Sequence, residues 1–260
     1  YDVQGSVNQV AVTNAKPGTR LALVGSGGKR AAAGRADPAG SLVFRKVRAG
    51  SYRVVEAADA KLTSASIKVV DPADSLPEHS FYDDQELKDG FQYITTRDGT
   101  KLSAAVYLPP GEGPFPTVVE YSGYDPSNPT QDLKGPITDL GLDPDTLCGQ
   151  ISIICRKPSQ PSSLIAAAMG YAVVSVNVRG TGCSGGSYDF FEPLQLLDGY
   201  DVIETVAAQP WVRNGKVGMV GLSYPGITQL YVAATRPPRL MRPSSAAAPV
   251  SANPAAFQQR

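Results

Sequence analysis

Short runs in which apolar and polar positions alternate fill the first 72 residues. Gly, Pro, Asn and Asp clusters separate these runs at hairpin distances. Such alternation is typical of half-buried β-strands. We therefore expect residues 1–72 to form a small all-β sandwich from the strands VNQVAVT, RLALVG, SLVFRKV, SYRVVEA and SASIKVV.

The hydrophobic pattern then stops. Residues 71–86, DPADSLPEHSFYDDQE, are acidic, contain Pro and show no periodicity. Segments of this composition connect domains. We predict a linker over residues 73–86 and a second domain over residues 87–260.

The second domain alternates strand and helix patterns. FQYITT and LSAAVYLP form a hairpin, PTVVEYS is a short apolar strand, and YAVVSVNV is a continuous apolar run. A continuous run indicates a strand buried on both faces of a parallel sheet. Apolar spacing predicts helices over 193–208 and 224–235, with the strand KVGMVG between them. The fold class is therefore α/β with a mostly parallel sheet, preceded by the all-β sandwich.

Composition narrows the function classes. Lys plus Arg and Asp plus Glu number 24 each, so the formal net charge is zero. No field extends over the whole chain to attract phosphate backbones, and no apolar run reaches the roughly 18 residues of a membrane span. We expect neither a nucleic-acid partner nor a membrane span. With a single His and no Cys-x-x-Cys pair, we expect no metal and no cofactor.

A catalytic motif lies between the last predicted strand and helix. Residues 221–226 read GLSYPG, with Ser223 at the turn. This context predicts a nucleophile elbow, in which a sharp strand-to-helix reversal requires small flanking residues and exposes the serine hydroxyl. The amide of Tyr224 at the helix N-terminus is then placed to bind the oxyanion of a tetrahedral intermediate. The alternative is a serine in an ordinary turn.

Several segments resemble a known family. They are TRDGTKLSAAVYLP, EYSGYDP, GYAVVSVNVRGTGCSGG and DGYDVIETVAAQPWVRNGKVGMVGLSYPGITQ. Together they resemble the cocaine esterase and X-Pro dipeptidyl-peptidase family of α/β-hydrolase serine hydrolases, over residues 88–252. The resemblance implies an α/β-hydrolase fold, with Ser223 as nucleophile, Tyr224 as backbone oxyanion donor and Tyr124 as the phenol that completes the oxyanion hole. In the first domain, GSLVFRKVRAGSYRVVEA resembles the carboxypeptidase-regulatory or transthyretin-like module.

Tyr124 and Asn177 are two further positions of the second domain that bear on the site. Tyr124 lies just past the strand PTVVEYS, at the carboxyl edge where open α/β sheets bind ligands. Its alternative role is that of a packed loop tyrosine. Asn177 stands where the family more often has an acid, and we interpret it as structural.

The general base is missing from this stretch of chain. From Tyr224 to Arg260 there is no Asp, Glu or His, and the one histidine, His79, reads as an ordinary solvated residue. The resemblance implies a catalytic Asp and His beyond residue 260. We therefore expect the N-terminal part of a longer hydrolase, completed by the remainder of its own chain or by a cleaved partner chain. The isolated 260-residue polypeptide should be inactive and poorly soluble.

The leading interpretation is a serine hydrolase that cleaves a small ester or a peptide through an acyl-enzyme, of X-Pro dipeptidyl-peptidase or acyl esterase type. One alternative is a catalytically silent scaffold or binding subunit that keeps the hydrolase fold. Another is a β-sandwich adhesion module with a passive second domain. The motif around Ser223 argues against the last.

The cysteines bear on compartment. Cys148 and Cys155 lie in a long loop and Cys183 follows the strand YAVVSVNV, so one disulfide among the three is feasible. The alternative is three free thiols in a cytosolic protein. Together with the β-sandwich and the absence of an initiator Met, they favour an extracytoplasmic enzyme.

Overall fold

The computed structural model describes residues 1–59, 61–124, 126–128 and 160–241, with positions 138, 141, 143 and 146. It divides into two compact units. The first is Tyr1–Pro77, and the second begins at Glu78.

The first unit consists of two antiparallel sheets around one core. The three-stranded sheet has the order β1-β2-β5 and the four-stranded sheet the order β4-β3-β6-β7. Alternate residues such as Val10, Val12, Leu21 and Leu23 are buried in a shared cluster, as the period of two requires. The strands are β1 (Asp2–Gly5), β2 (Val10–Thr13), β3 (Arg20–Gly25), β4 (Arg30–Arg35), β5 (Leu42–Phe44), β6 (Gly50–Glu56) and β7 (Ile67–Val69).

The predicted linker differs from what the structure contains. A short helix, α1 (His79–Asp83), forms within it and belongs to the second unit. Tyr82 is almost fully buried there, and its hydroxyl donates a 2.8 Å hydrogen bond to Asp201 Oδ1. A five-residue helix with one buried position shows no periodicity in sequence, so pattern analysis had no signal for it.

A five-stranded sheet forms the centre of the second unit, in the order β12-β10-β11-β9-β8. β10 runs parallel to β11 and β12, whereas β9 is antiparallel to both β11 and β8. The sheet is therefore mixed, and the expected parallel arrangement applies to three strands. β8 and β9 are joined by a tight turn, which only antiparallel neighbours allow. The strands are β8 (Gly90–Thr95), β9 (Lys101–Tyr107), β10 (Phe115–Ser122), β11 (Ala172–Asn177) and β12 (Val212–Met219).

Helices cover both faces of this sheet. α2 (Pro161–Ala168) packs its alanines against Val118 and Val173 on one face. α3 (Pro193–Ala207) and α4 (Tyr224–Ala234) pack against the other face, where Val119 and Val174 lie. Every residue of β11 is buried, which confirms the prediction from its continuous apolar run. None of the helices in the described residues is long and apolar enough to cross a bilayer.

Buried ion pairs attach α3 to the rest of the unit. Arg179 Nε lies 2.5 Å from Asp198 Oδ2, and its guanidinium also reaches Asp98 at 3.3 Å. Arg97 pairs with Asp201 at 2.7 Å. Burial alone would lower the pKa of Arg179, but the carboxylates of Asp198 and Asp98 outweigh it and hold the pKa above its ordinary value. Removing one partner of such a pair typically costs about 3 to 5 kcal/mol, because the other charge is left buried and unpaired.

Among the described residues, the buried carboxyl of Glu120 has no charged partner. Glu120 on β10 is fully buried on the α2 face; the Ser163 hydroxyl donates to its Oε2, while Oε1 has no hydrogen-bond partner within the described residues. Burial raises the pKa of this carboxyl to about 7, and the bond from Ser163 only partly opposes the rise. The folded protein therefore binds this proton more tightly than the unfolded chain does.

We predict that Glu120 makes stability fall as pH rises. Its folded pKa lies above the unfolded value, so its favourable contribution is complete below about pH 4.5 and is lost as pH rises through about 7. In Glu120→Gln the fall in the free energy of unfolding between pH 4.5 and pH 8 should be smaller by about 2 to 3 kcal/mol, measured by urea denaturation. Glu112→Gln, at an exposed position, is the matched control. An unchanged pH dependence in Glu120→Gln would refute the assignment.

Candidate active site

The chain reverses sharply between β12 and α4. Ser223 sits at this reversal with φ 62° and ψ −121°, in the left-handed region that costs a non-glycine residue about 1 to 3 kcal/mol. Hydrogen bonds hold the turn on both sides: Val220 N–H donates to Val119 O on the strand side, and Ile227 N–H donates to Ser223 O on the helix side, each at 3.0 Å. The side chain of Ser223 is exposed.

Glycine is required beside this reversal. A Cβ on Gly221 would lie 2.5 Å from the carbonyl carbon of Pro225, which confirms the expected crowding two residues before Ser223. Two residues after Ser223 the chain has Pro225. The expectation that small residues flank Ser223 on both sides is therefore wrong on the helix side. The second glycine is Gly226, where a Cβ would lie 3.2 Å from Gly221 O. The missing side chain at position 221, on the strand side of the turn, is therefore what lets residues 221 and 225 approach so closely.

The two predicted hydroxyls meet at this turn. Tyr124 follows β10 by two residues, and its Oη lies 3.3 Å from Ser223 Oγ. The Tyr124 N–H donates to Ser122 Oγ at 3.0 Å, which fixes the start of the loop. The loop is held further on as well, because both the N–H and the hydroxyl of Ser127 donate to Asn177 Oδ1, at 3.1 and 2.6 Å. The buried Asn177 thus has a structural contact, as expected from sequence.

Tyr224 begins α4 directly after Ser223. Amides in the first turn of a helix have no partner within the helix, and the helix dipole makes this end favourable for negative charge. The arrangement can therefore stabilise an anion that develops next to Ser223. The three predicted site residues, Ser223, Tyr224 and Tyr124, lie together, while their catalytic roles stay predictions.

Sequence reasoning missed the aromatic cluster behind these residues. The Tyr224 ring is buried and stacks on Phe191, with centroids 5.0 Å apart and planes at 16°. Phe190 and Tyr124 approach the same ring at 6.0 and 5.7 Å. The buried Gln195 donates through Nε2 to the Tyr224 hydroxyl. The pair Phe190-Phe191 just before Pro193 was the available signal, but it carries no periodicity.

His79 lies at the far end of α3 from this site. It is exposed on α1, whose last residue, Asp83, shares the Arg239 guanidinium with Glu204 near the end of α3, whereas Gln195 near the beginning contacts Tyr224. Gln195 and Glu204 are nine positions apart in the helix, a rise of about 14 Å. His79 is therefore no base for Ser223 in this fold.

The remaining candidates from sequence concern metal binding and a disulfide. In the part of the chain that the structure describes, no three His, Cys, Asp or Glu side chains are grouped to hold a metal ion. Cys183 is exposed and forms no disulfide with a described residue. Cys148 and Cys155 lie outside the described residues, so the disulfide and the extracytoplasmic location stay predictions.

Comparison with known proteins gives the following matches. The model of the X-Pro dipeptidyl-peptidase family (S15 family) matches residues 98–259. A Mycobacterium bovis protein named as a serine esterase is 30% identical over 139 residues, which cover 52% of this chain and 20% of that protein. The cocaine esterase of Rhodococcus sp. is 26% identical over 144 residues, which cover 55% of this chain and 20% of that protein. The chain thus spans about a fifth of the length of these curated relatives.

A solved structure also matches. It is a CocE/NonD family hydrolase from Staphylococcus aureus, with 26% sequence identity and a TM-score of 0.44. The match covers 65% of this chain and 32% of that one.

We predict that the reversal tolerates no side chain at position 221. Gly221→Ala places a methyl group against Pro225 and should lower stability by about 1 to 3 kcal/mol, measured by chemical denaturation. Gly218→Ala in β12 is the matched control, because its Cβ would make an ordinary 3.5 Å contact with Val118. Equal stability of the two variants would contradict the steric argument.

Proposed function

The chain belongs to the X-Pro dipeptidyl-peptidase (S15) family, and from this membership we propose that it carries the nucleophile of a serine hydrolase. Ser223 would form the acyl-enzyme. The observation that carries the proposal is the exposed Ser223 Oγ at a strained strand-to-helix turn, 3.3 Å from the Tyr124 hydroxyl. Strained backbone conformations of this kind are concentrated at functional sites.

The proposed reaction follows from this geometry. Ser223 Oγ attacks the substrate carbonyl carbon as its proton passes to a general base. The carbonyl oxygen becomes an oxyanion and accepts hydrogen bonds from the Tyr124 hydroxyl and the Tyr224 N–H. The leaving group departs with a proton, and water then releases the acid and restores the Ser223 hydroxyl.

We propose that the general base comes from outside residues 1–260. The only histidine in these residues is His79, which lies at the other end of α3 from Ser223. In the serine hydrolases that this motif typifies, the acid and then the histidine follow the serine along the chain. Either the remainder of a longer chain or a separate partner chain would supply them.

Esters are the substrates that the described surroundings favour. Leu222 and Ile227, on either side of Ser223 in the chain, are exposed and apolar, and Tyr124 adds a phenol. These groups suit an apolar acyl group better than the charged amine of a dipeptide. The names of the relatives, a serine esterase and a cocaine esterase, agree with this choice, while the family description keeps X-Pro peptides as the second class.

A catalytically silent scaffold is the second candidate, because residues 224–260 contain no Asp, Glu or His to follow Ser223 as acid and base. A fluorophosphonate probe distinguishes the two, since it labels only an activated serine. The proposed hydrolase reacts at Ser223 in the full-length natural protein, and a silent scaffold does not react.

We expect Ser223→Ala to abolish both ester turnover and probe labelling, because no other hydroxyl would be activated. Both are measured on the full-length natural protein, with thermal unfolding to verify that the fold is kept. Ser80→Ala, at an exposed serine of α1, should retain full labelling. Persistent labelling of Ser223→Ala would remove Ser223 from its role.

Tyr124→Phe should lower kcat by about 100- to 1000-fold with little change in KM, because it removes one oxyanion donor. Steady-state hydrolysis of p-nitrophenyl acetate measures both constants. Tyr93→Phe, at an exposed tyrosine of β8, is the control and should behave as wild type. An unchanged kcat in Tyr124→Phe would leave this tyrosine as a packed loop residue.

The 260-residue polypeptide expressed alone should not hydrolyse p-nitrophenyl acetate above background, because a serine without a base is a weak nucleophile. The measurement compares it with its own Ser223→Ala variant. Robust turnover that depends on Ser223 would mean that a residue within 1–260 is the base.

A further inference from the structure

Gln195 connects three parts of the second unit whose relative positions matter for the proposed reaction. We propose that Gln195 is a positioning residue, which acts through the Tyr224 phenol to hold the two hydrogen-bond donors beside Ser223. The inference rests on the proposed function, because the donors matter only if Ser223 reacts. It assigns a role to a polar side chain that is almost completely buried.

The hydrogen bonds of Gln195 leave its amide one orientation. Its Oε1 accepts from the N–H of Phe191 at 3.1 Å, so its Nε2 faces the Tyr224 hydroxyl and donates to it. Its backbone carbonyl accepts from the hydroxyl of Tyr121, on β10, at 2.9 Å. One residue in the first turn of α3 therefore binds the preceding loop, strand β10 and the first residue of α4.

Phe191 makes this arrangement specific. Its φ is 52°, a left-handed conformation that needs support from its surroundings. The bond from its N–H to Gln195 supplies such support, and its ring stacks on Tyr224. Phe191 thus packs on the face of the Tyr224 ring, while Gln195, which also binds Phe191, holds the Tyr224 hydroxyl.

The Tyr224 ring in turn lies beneath the loop that carries Tyr124. A Cβ on Gly123 would be 3.5 Å from Tyr224 Cε1, so this loop rests directly on the ring. The Tyr124 and Tyr224 rings are 5.7 Å apart. Since Tyr224 also carries the backbone N–H next to Ser223, a shift of its ring would displace both donors together.

The phenol of Tyr224 stays neutral in this setting. Burial raises its pKa, the bond donated by Gln195 opposes that rise, and a hydrogen bond with Tyr188 adds to it. A neutral phenol both accepts from Gln195 and keeps a proton to donate. The Gln195 contact is therefore a directional hydrogen bond between neutral groups, which a side chain of similar shape without an amide cannot replace.

A double-mutant cycle on the full-length natural protein tests the proposal. Gln195→Met and Tyr224→Phe each remove the bond while keeping most of the volume. Each should lower kcat for p-nitrophenyl acetate by about 10- to 100-fold with KM nearly unchanged, because small displacements of positioned groups have effects of this size. The double variant should lose less activity than the product of the two single losses, since both changes remove the bond between Gln195 and Tyr224.

A boronic acid inhibitor gives a second readout. It forms a tetrahedral adduct with a reactive serine, so its affinity should weaken by about the same factor as kcat. Gln209→Met is the matched control: Gln209 is another buried glutamine, bonded to Leu87 N and Thr205 O, just beyond the other end of α3. It should lower stability and leave kcat and boronate affinity as in wild type.

The outcomes separate the two proposals. If wild type shows no Ser223-dependent turnover, the proposed function fails and this inference with it. If wild type is active while Tyr224→Phe, which keeps the ring, matches it in kcat and boronate affinity, the positioning role alone is overturned. Additive losses in the double variant would also overturn it. If Gln195→Met does not fold, Tyr224→Phe and its boronate affinity decide.

Discussion

The backbone of Ser223 has a φ of 62°, which a residue with a side chain adopts only where its surroundings enforce it. Here β12 is anchored to β10 on one side, the first turn of α4 begins on the other, and Gly221 removes the Cβ that would strike Pro225. This reversal points the serine hydroxyl outward and leaves the first amides of α4 unpaired within the helix. The candidate site depends on this one reversal, because it sets both the position of the hydroxyl and the direction of the helix N-terminus.

The sheet brings the second hydroxyl to the same place. β10 lies between β11 and β12, so the loop that follows it emerges beside the turn at Ser223, and residues 99 positions apart come within 3.3 Å. Buried polar contacts then fix the loop and the helix around it. Asn177 holds the loop through Ser127, and the pairing of Arg179 with Asp198 holds α3, from which Gln195 reaches the Tyr224 phenol. Packing alone would not specify these orientations, whereas directional bonds do.

Sequence patterns predicted the parts of this architecture that depend on local periodicity. The apolar run of β11 and the helix beginning at Pro193 agree with the structure. So does the strand-to-helix turn predicted at Ser223, whose catalytic role stays a prediction. β4, with the sequence RAAAGR, was missed because it is largely exposed and has only Ala and Gly between two Arg, which gives no alternation to detect. Gln195 was missed for another reason: its partner Tyr224 lies 29 positions away, and a buried amide leaves no periodic signal.

Direct observation of the covalent intermediate would test the central claim, that Ser223 is the nucleophile. The full-length natural protein is mixed with excess p-nitrophenyl acetate, quenched in acid within the first turnovers, digested and analysed by mass spectrometry. The account predicts an acetyl group on the peptide that contains Ser223, lost again when the quench is delayed until the ester is consumed. A stable acetyl group elsewhere, with the Ser223 peptide unmodified throughout hydrolysis, would contradict it.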